Sequence, residues 1–351
     1  MASSDKISRR AFATLAAGTV MLPAAAHTPA PSMKRRLIKP ARLHFGDSIG
    51  LIAPGGHTDE EAIGRAVAKI ELLGFKVQQG ANLRAVHGNY GGSVQQRVDD
   101  LHAMFRDPGV KAIWCIRGGS GCISLLASLD YALIRAHPKI LIGYSDITAL
   151  HLAIYRHAGL VTFHGPVAGS GASDYSNRHM LAVLMDPQSS YTIAMAPENA
   201  ERALTEPHFS VRTATHGQAT GRLIGGNLSL VSALAGTPYA ADFRKALLFI
   251  EEVNEAPYRI DRWMTQLDLA LGLRHAAAVM VGICENCGPA DDETSLTLEE
   301  TLALHLKPLT VPAVSGYSFG HIRHQFTLPM GINARLDTLR QTVTLLEPAV
   351  S

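Results

Sequence analysis

The chain has 351 residues, 47% of them hydrophobic and 18% charged, with a formal net charge of +2; this is a globular composition with length enough for two domains. No basic stripe favours nucleic acid and no apolar segment is long enough for stable membrane insertion, so neither partner is expected. Four cysteines, Cys115, Cys122, Cys284 and Cys287, are too few for the disulfide scaffold of so long a chain.

Residues 1–26 read as an export signal. Lys6, Arg9 and Arg10 precede a modest apolar run over 11–22, and Ala24, Ala25 and Ala26 supply small residues for cleavage. Ser8-Arg9-Arg10-Ala11-Phe12 resembles the twin-arginine export motif, which implies a periplasmic mature protein. The alternative is a basic tail that happens to hold two arginines. Removing Lys6, Arg9, Arg10 and Asp5 with this segment takes 32 basic and 30 acidic residues to 29 and 29, leaving the mature chain near neutral. Residues 27–42, rich in Pro, Ala and basic side chains, read as a linker, with order expected from Phe45.

From there strands and helices alternate. A strand at 49–53 and the Pro54-Gly55-Gly56 turn precede a helix whose capping box is Thr58 with Glu61, ending at Gly74. A strand at 75–78 is followed by a helix capped by Ser93 with Gln96. A third strand, 112–116, runs into Arg117-Gly118-Gly119-Ser120-Gly121, whose glycines suit either a tight turn or amides offered to an anion. A short helix at 130–136, a strand at 140–142, a helix from Ile147 and a strand at 160–163 complete a parallel sheet covered on both faces. In such sheets ligands bind at the carboxyl ends of the strands.

This first domain is expected over 43–194. Residues 195–215 lose periodicity and read as a crossing between domains. The second domain, 216–351, has strands at 222–224, 246–250, 278–281, 311–314, 326–328, 334–337 and 342–346, with helices at 228–234, 260–271 and 296–305. That strand-rich end suggests a small barrel or sandwich.

Ser145 stands on the turn between the 140–142 strand and its helix, in Gly143-Tyr144-Ser145-Asp146-Ile147. A serine there projects its hydroxyl off the sheet, as in a nucleophile elbow, although Ile147 stands where the α/β-hydrolase pattern has a second glycine. The competing reading is a helix cap. A nucleophile needs a base and an orienting carboxylate. Among sixteen histidines, His321 follows a strand in Gly316-Tyr317-Ser318-Phe319-Gly320-His321. Glu251 follows the strand at 246–250, with Glu252 and Glu255 as competitors and Arg259 and Arg262 as ion-pair partners for any of them. Cys284 with Cys287 and His321 with His324 form a weak zinc pattern, and no His-Glu-x-x-His is present.

Together these stretches resemble the serine LD-carboxypeptidase family, which includes the microcin C self-immunity peptidases. The likeness runs through Gly46-Asp47-Ser48-Ile49-Gly50-Leu51-Ile52-Ala53-Pro54, the 110–119 stretch ending in Arg117-Gly118-Gly119, Ile142-Gly143-Tyr144-Ser145-Asp146-Ile147-Thr148 and Phe163-His164-Gly165-Pro166. It continues through Leu223-Ile224-Gly225-Gly226-Asn227-Leu228, the stretch from Glu251 to Arg262, and Gly320-His321 followed by Thr327-Leu328-Pro329.

The resemblance implies a flavodoxin-like parallel-sheet N-terminal domain and a β-rich, barrel-like C-terminal domain, with a triad assembled across both. It puts the nucleophile on Ser145, the orienting carboxylate on Glu251 and the base on His321. Oxyanion donors would be the amide of Asp146 and one from the Gly118-Gly119 turn. It implies no metal or organic cofactor, favours a homodimer, and points to murein tetrapeptides as substrate, with release of D-Ala from the L-centre of diaminopimelate. Departures from the family pattern are Ser120 where Tyr is common, Gly55 where Ser is frequent, and the export signal. Competing readings are cleavage of a microcin-like peptide–nucleotide amide by the same triad, a periplasmic ligand-binding protein, and a metal hydrolase.

Overall fold

The computed structural model describes residues 36–171, 173–290 and 294–351; the expected export signal and residues 27–35 of the linker lie outside them. The remainder of that linker is built into the fold. Ile38 bridges Leu160, donating to Gly159 O and accepting from Val161 N. Lys39 pairs with Glu347 at 2.8 Å, and Arg42 N donates to Ser351 O. Order therefore begins before Phe45, because backbone pairing does not require the apolar periodicity that sequence reading follows.

The first layer comprises β1 (Ser48–Ile52), α1 (Glu60–Leu72), β2 (Lys76–Gln79), α2 (Val94–Arg106), β3 (Val110–Cys115), α3 (Tyr131–Ala136), β4 (Ile140–Gly143), α4 (Thr148–Ala158) and β5 (Phe163–His164). Every residue of β4 is buried, as a strand covered on both faces requires. The strand order 2-1-3-4-5, all parallel, is the flavodoxin-like arrangement. The caps follow the sequence with one shift. Ser93 and Gln96 form the expected capping box on α2, whereas Asp59 rather than Thr58 caps α1, its carboxylate accepting from Ala62 N at 2.7 Å.

The chain continues through α5 (Asp174–Met185), β6 (Tyr191–Ala194), α6 (Pro197–Arg202), β7 (Arg212–Thr215), β8 (Gln218–Asn227), α7 (Leu228–Ala233), β9 (Ala246–Glu251), α8 (Pro257–Leu271), β10 (Ala278–Gly282), α9 (Leu298–Leu306), β11 (Ala313–Tyr317), β12 (Leu328–Pro329), β13 (Asn333–Asp337) and β14 (Thr342–Leu345). The second sheet has the order β6-β14-β13-β8-β9-β10-β11-β7. Its β8–β11 centre is parallel and its flanks are antiparallel. The C-terminal half is β-rich as expected, with a linear ladder in place of a closed barrel among the described residues.

Two placements differ from the sequence reading. Residues 195–215 are not a bare crossing, since they hold α6 and β7, and β6 before them already belongs to the second sheet. The 326–328 stretch, read as part of the second unit, returns to the first sheet, where β12 pairs antiparallel with β5. A two-residue strand carries too little pattern to reveal its partner.

The sheets meet where β8 ends against the start of α4. Asn227 N donates to Thr148 Oγ1 at 2.9 Å, and Gly226 has φ +135°. A Cβ on Gly226 would lie 2.5 Å from Thr148 Oγ1 and Cγ2, so only glycine permits this approach. Gly226→Ala is expected to lower the urea midpoint by the equivalent of about 1–3 kcal/mol; an unchanged midpoint would show that Thr148 yields freely.

Candidate active site

The site is built where the carboxyl ends of the parallel strands of the two sheets converge. β4 ends at Gly143, Tyr144 is extended (φ −147°, ψ −170°), and Ser145 turns to φ +63° before a 3₁₀ turn, Ser145–Ile147, leads into α4. A positive φ at a non-glycine residue costs about 1–3 kcal/mol and marks a position held by its surroundings. The cap reading of Ser145 does not hold, because its hydroxyl caps neither helical segment and makes no hydrogen bond among the described residues. Ile147, the residue at odds with the hydrolase pattern, is buried over Gly143, where a Cβ would meet its side chain at 3.0 Å. One glycine is thus enough for this turn.

The glycine loop after β3 closes one side. A Cβ on Gly118 would fall 2.7 Å from Ser145 Cβ, 3.0 Å from its Oγ and 3.3 Å from Asp146 N, so the bare backbone of Gly118 lies against the serine and the amide behind it. Gly56 N donates to Gly118 O at 2.8 Å, fixing this loop to the turn after β1 at the switch point of the sheet. Gly55 has no space for a side chain, since a Cβ would sit 2.4 Å from Gly118 O. Gly119 (φ +103°) faces Gly56. Ser120 Oγ accepts from Asn89 at 2.7 Å, which ties the loop down where the family commonly has an aromatic ring. The Asp146 carboxylate turns away and accepts from Cys122 N at 2.9 Å; burial raises its pKa against that bond.

The opposite side comes from the second sheet. Glu251, the last residue of β9, is fully buried and its Oε2 lies 2.7 Å from His321 Nδ1. Its competitors are occupied elsewhere. Glu252 accepts from Asn227 Nδ2 and Ser229 N at 2.9 Å and from Val253 N at 3.0 Å, and Glu255 pairs with Arg259 at 3.0 Å. His321 is carried on the loop after β11, and Gly320 (φ +119°) lets that loop approach, a Cβ there lying 3.2 Å from Glu251 Cβ.

Burial opposes charge on both partners, yet the pair prevails. Desolvation acts to raise the Glu251 pKa, but the His321 charge and hydrogen bond hold it below the usual carboxyl value. Desolvation acts to lower that of His321, but Glu251, with Glu252 and Glu285 behind it, raises it. The structure thus brings Glu251 to His321, and Gly118 to Ser145 and the Asp146 amide. Among the described residues no hydrogen bond joins Ser145 to His321. The halves touch through Tyr144, whose ring meets the His321 imidazole edge-on at 4.7 Å and 72°. Burial, then Glu251 and Glu285, push the Tyr144 phenol up to about 12, so it stays neutral. Sequence reasoning missed Tyr144, and its position between the sheet and the serine was the available signal.

The zinc pattern does not assemble. Cys284 and Cys287 are buried free thiols, His324 lies 3.7 Å from Glu198, and the described residues contain no group of three or more His, Cys, Asp or Glu placed to hold a metal. No described helix is long and apolar enough to cross a membrane.

A flavodoxin-like sheet joined to a β-rich partner, with the Ser145 turn at the convergence of their strand ends, defines a two-sheet α/β class of protein. Models of the LD-carboxypeptidase N-terminal and C-terminal domains match residues 49–165 and 220–336. The chain is 39% identical to a probable murein peptide carboxypeptidase of Bacillus subtilis (strain 168), over 89% of this chain and 95% of that one. It is 31% identical to the murein tetrapeptide carboxypeptidase of Pseudomonas aeruginosa, over 82% and 92%. The solved wild-type structure of the microcin C7 self-immunity protein MccF, a protein of Escherichia coli, superposes with a TM-score of 0.80 at 26% identity, covering 90% of this chain and all of that one. The chain belongs to the LD-carboxypeptidase family and is a carboxypeptidase.

Gly118→Ala pushes directly on Ser145. Carboxypeptidase turnover is expected to fall on the order of 100-fold, as for an ångström-scale misplacement of a reacting group, with the folded circular-dichroism spectrum retained. Wild-type turnover in this variant would separate the glycine loop from the chemistry.

Proposed function

We propose that this carboxypeptidase is serine-dependent and releases D-Ala from murein tetrapeptides, hydrolysing the amide at the L-centre of diaminopimelate. The observation that carries the mechanism is the 2.7 Å contact between the wholly buried Glu251 and His321 Nδ1, which leaves Nε2 free to serve a hydroxyl. The murein substrate is supported by the names of the Bacillus and Pseudomonas relatives.

In this reading His321 Nε2 takes the Ser145 proton as Oγ attacks the amide carbonyl, then returns it to the leaving amine of D-Ala. Glu251 fixes the imidazole tautomer and stabilises the imidazolium. The Asp146 amide and one from the Gly118-Gly119 turn receive the oxyanion, each worth about 3–4 kcal/mol of barrier. Water, activated by the same imidazole, hydrolyses the acyl-serine and frees the shortened peptide. The similarity to MccF supports a second reading in which the same residues cleave a microcin-like peptide–nucleotide amide. The Arg9-Arg10 motif supports export and periplasmic action on the murein itself; replacing both arginines by lysine is expected to retain the protein in the cytoplasm, as cell fractionation would register.

The deciding assay is D-Ala release from a diaminopimelate-containing tetrapeptide. Release is expected to survive chelator and to fall by several orders of magnitude in Ser145→Ala. Undiminished release by that variant would sink the mechanism, and none from wild type would move the substrate to the toxin-type amide. His321 must be neutral to accept the serine proton, and its pKa is raised from the ordinary 6.5. The kcat/KM profile is therefore expected to lose activity as pH falls through an apparent pKa above 6.5, and a midpoint at or below 6.5 would contradict the coupling to Glu251.

A further inference from the structure

Behind the carboxylate–imidazole pair lies a second buried imidazole that the mechanism above does not use. His164 closes β5 in the Phe163-His164-Gly165-Pro166 motif. Its side chain is fully buried, and neither ring nitrogen has a hydrogen-bond partner among the described residues. The ring meets Phe249 edge-on at 5.4 Å, and Phe249 precedes Glu251 by two residues on β9, on the same face of that strand. It also meets Tyr144 at 6.2 Å, the ring that contacts His321 on its other side. Glu251 in turn uses only one oxygen. Its Oε1 is buried and has no hydrogen-bond partner among the described residues, although the Asn227 side chain lies close enough to help hold the carboxylate ionised. An acceptor and a ring with an unused N–H thus lie near enough to feel each other's charge, at the ends of β5 and β9, where each alone is costly to bury.

We propose that His164 is a positioning residue for this reaction: as a neutral imidazole it donates an N–H to Oε1 of Glu251, by a small approach or through one buried water, so that Oε2 stays aimed at His321 Nδ1. The inference rests on the Ser145–His321–Glu251 reading given above. The electrostatics agree with it. Burial pushes the His164 imidazole down to about 4, with Glu251 opposing and His321 adding to that shift, so the ring is a neutral donor at working pH. His151, packed beside it, spends Nε2 on Gly143 O at 2.9 Å and adds no charge, its own imidazole being pushed down to about 3, chiefly by burial.

The titratable and polar groups facing Glu251 include His321, His164, Asn227, Glu252, Tyr144 and Cys284, and those facing His321 include Glu251, Glu252, Glu285, His164 and Tyr144. Loss of the His164 donor leaves Glu251 more basic, which tightens its hold on the imidazolium and moves the acid limb of kcat/KM to higher pH.

The test compares wild type with His164→Phe, which keeps a ring without a donor, and His164→Gln, which restores an N–H. Each is assayed for D-Ala release across pH, with a melting curve. His164→Phe is expected to lower kcat roughly 10- to 100-fold, a fraction of the general-base contribution, with KM unchanged and the acid limb shifted upward. His164→Gln is expected to recover the limb and most of the rate. A wild-type profile in His164→Phe, or equal impairment of both variants with an unshifted limb, would overturn the proposal. Ser145→Ala in the same series tests the underlying mechanism separately, since release surviving that change condemns the triad whatever His164 does. Where His164→Phe fails to fold, or wild type releases no D-Ala, histidine-labelled NMR of wild type and Glu251→Gln decides. A protected His164 N–H resonance that moves in Glu251→Gln is expected, and its absence or indifference would refute the contact.

Discussion

A carboxylate with no exposure to water can remain ionised only if a cation or donors replace its hydration, and among the described residues Glu251 has one ion-pair partner, His321. Much of the architecture is arranged to make that pairing available. β9 delivers the carboxylate at its last residue, the glycine at 320 lets the imidazole loop come within contact, and Asn227 draws Glu252 aside so that two adjacent carboxylates do not compete for one histidine. Buried pairs of this kind are a weak source of stability, yet removing one partner typically costs about 3–5 kcal/mol because the other is stranded. The pair is better understood as a fixed electrostatic element, joined to the turn of Ser145 through the ring of Tyr144.

That orientation depends on contacts between sheets more than on either sheet alone. Gly226 against Thr148 and the Asn227 amide on the Thr148 hydroxyl join the end of β8 to the first turn of α4, the helix that starts immediately after the Ser145 turn. The elbow is held from the other side by Gly118, itself bonded to the loop after β1. The serine thus sits at the junction of three segments from one sheet and one from the other, which is how its unfavourable φ of +63° is sustained.

Much of this was legible in the sequence. Continuous apolar runs such as 140–142, followed by helical spacing, identified the parallel sheet, and Ser93 with Gln96 marked α2 correctly. The elbow was legible at Ser145, although whether its hydroxyl capped a helix was not, since both uses demand a small polar residue on the same turn. Glu251, Glu252 and Glu255 were indistinguishable by pattern, because what separates them is the identity of the partner each meets across the fold. The Thr58–Glu61 box lost to Asp59 by one position, a shift that chemistry at a helix start permits freely. β12 and the pairing of Ile38 were invisible because two residues or a single bridge leave no periodic trace.

The return of β12 to the first sheet has a consequence for how this enzyme can be divided. The loop carrying His321 begins at β11 in one sheet and ends at β12 in the other, so it is a strap anchored on both bodies. The two family segments, 49–165 and 220–336, are therefore not interchangeable modules that bring independent halves of a site. Grafting one onto a foreign partner would leave the strap without its second anchorage.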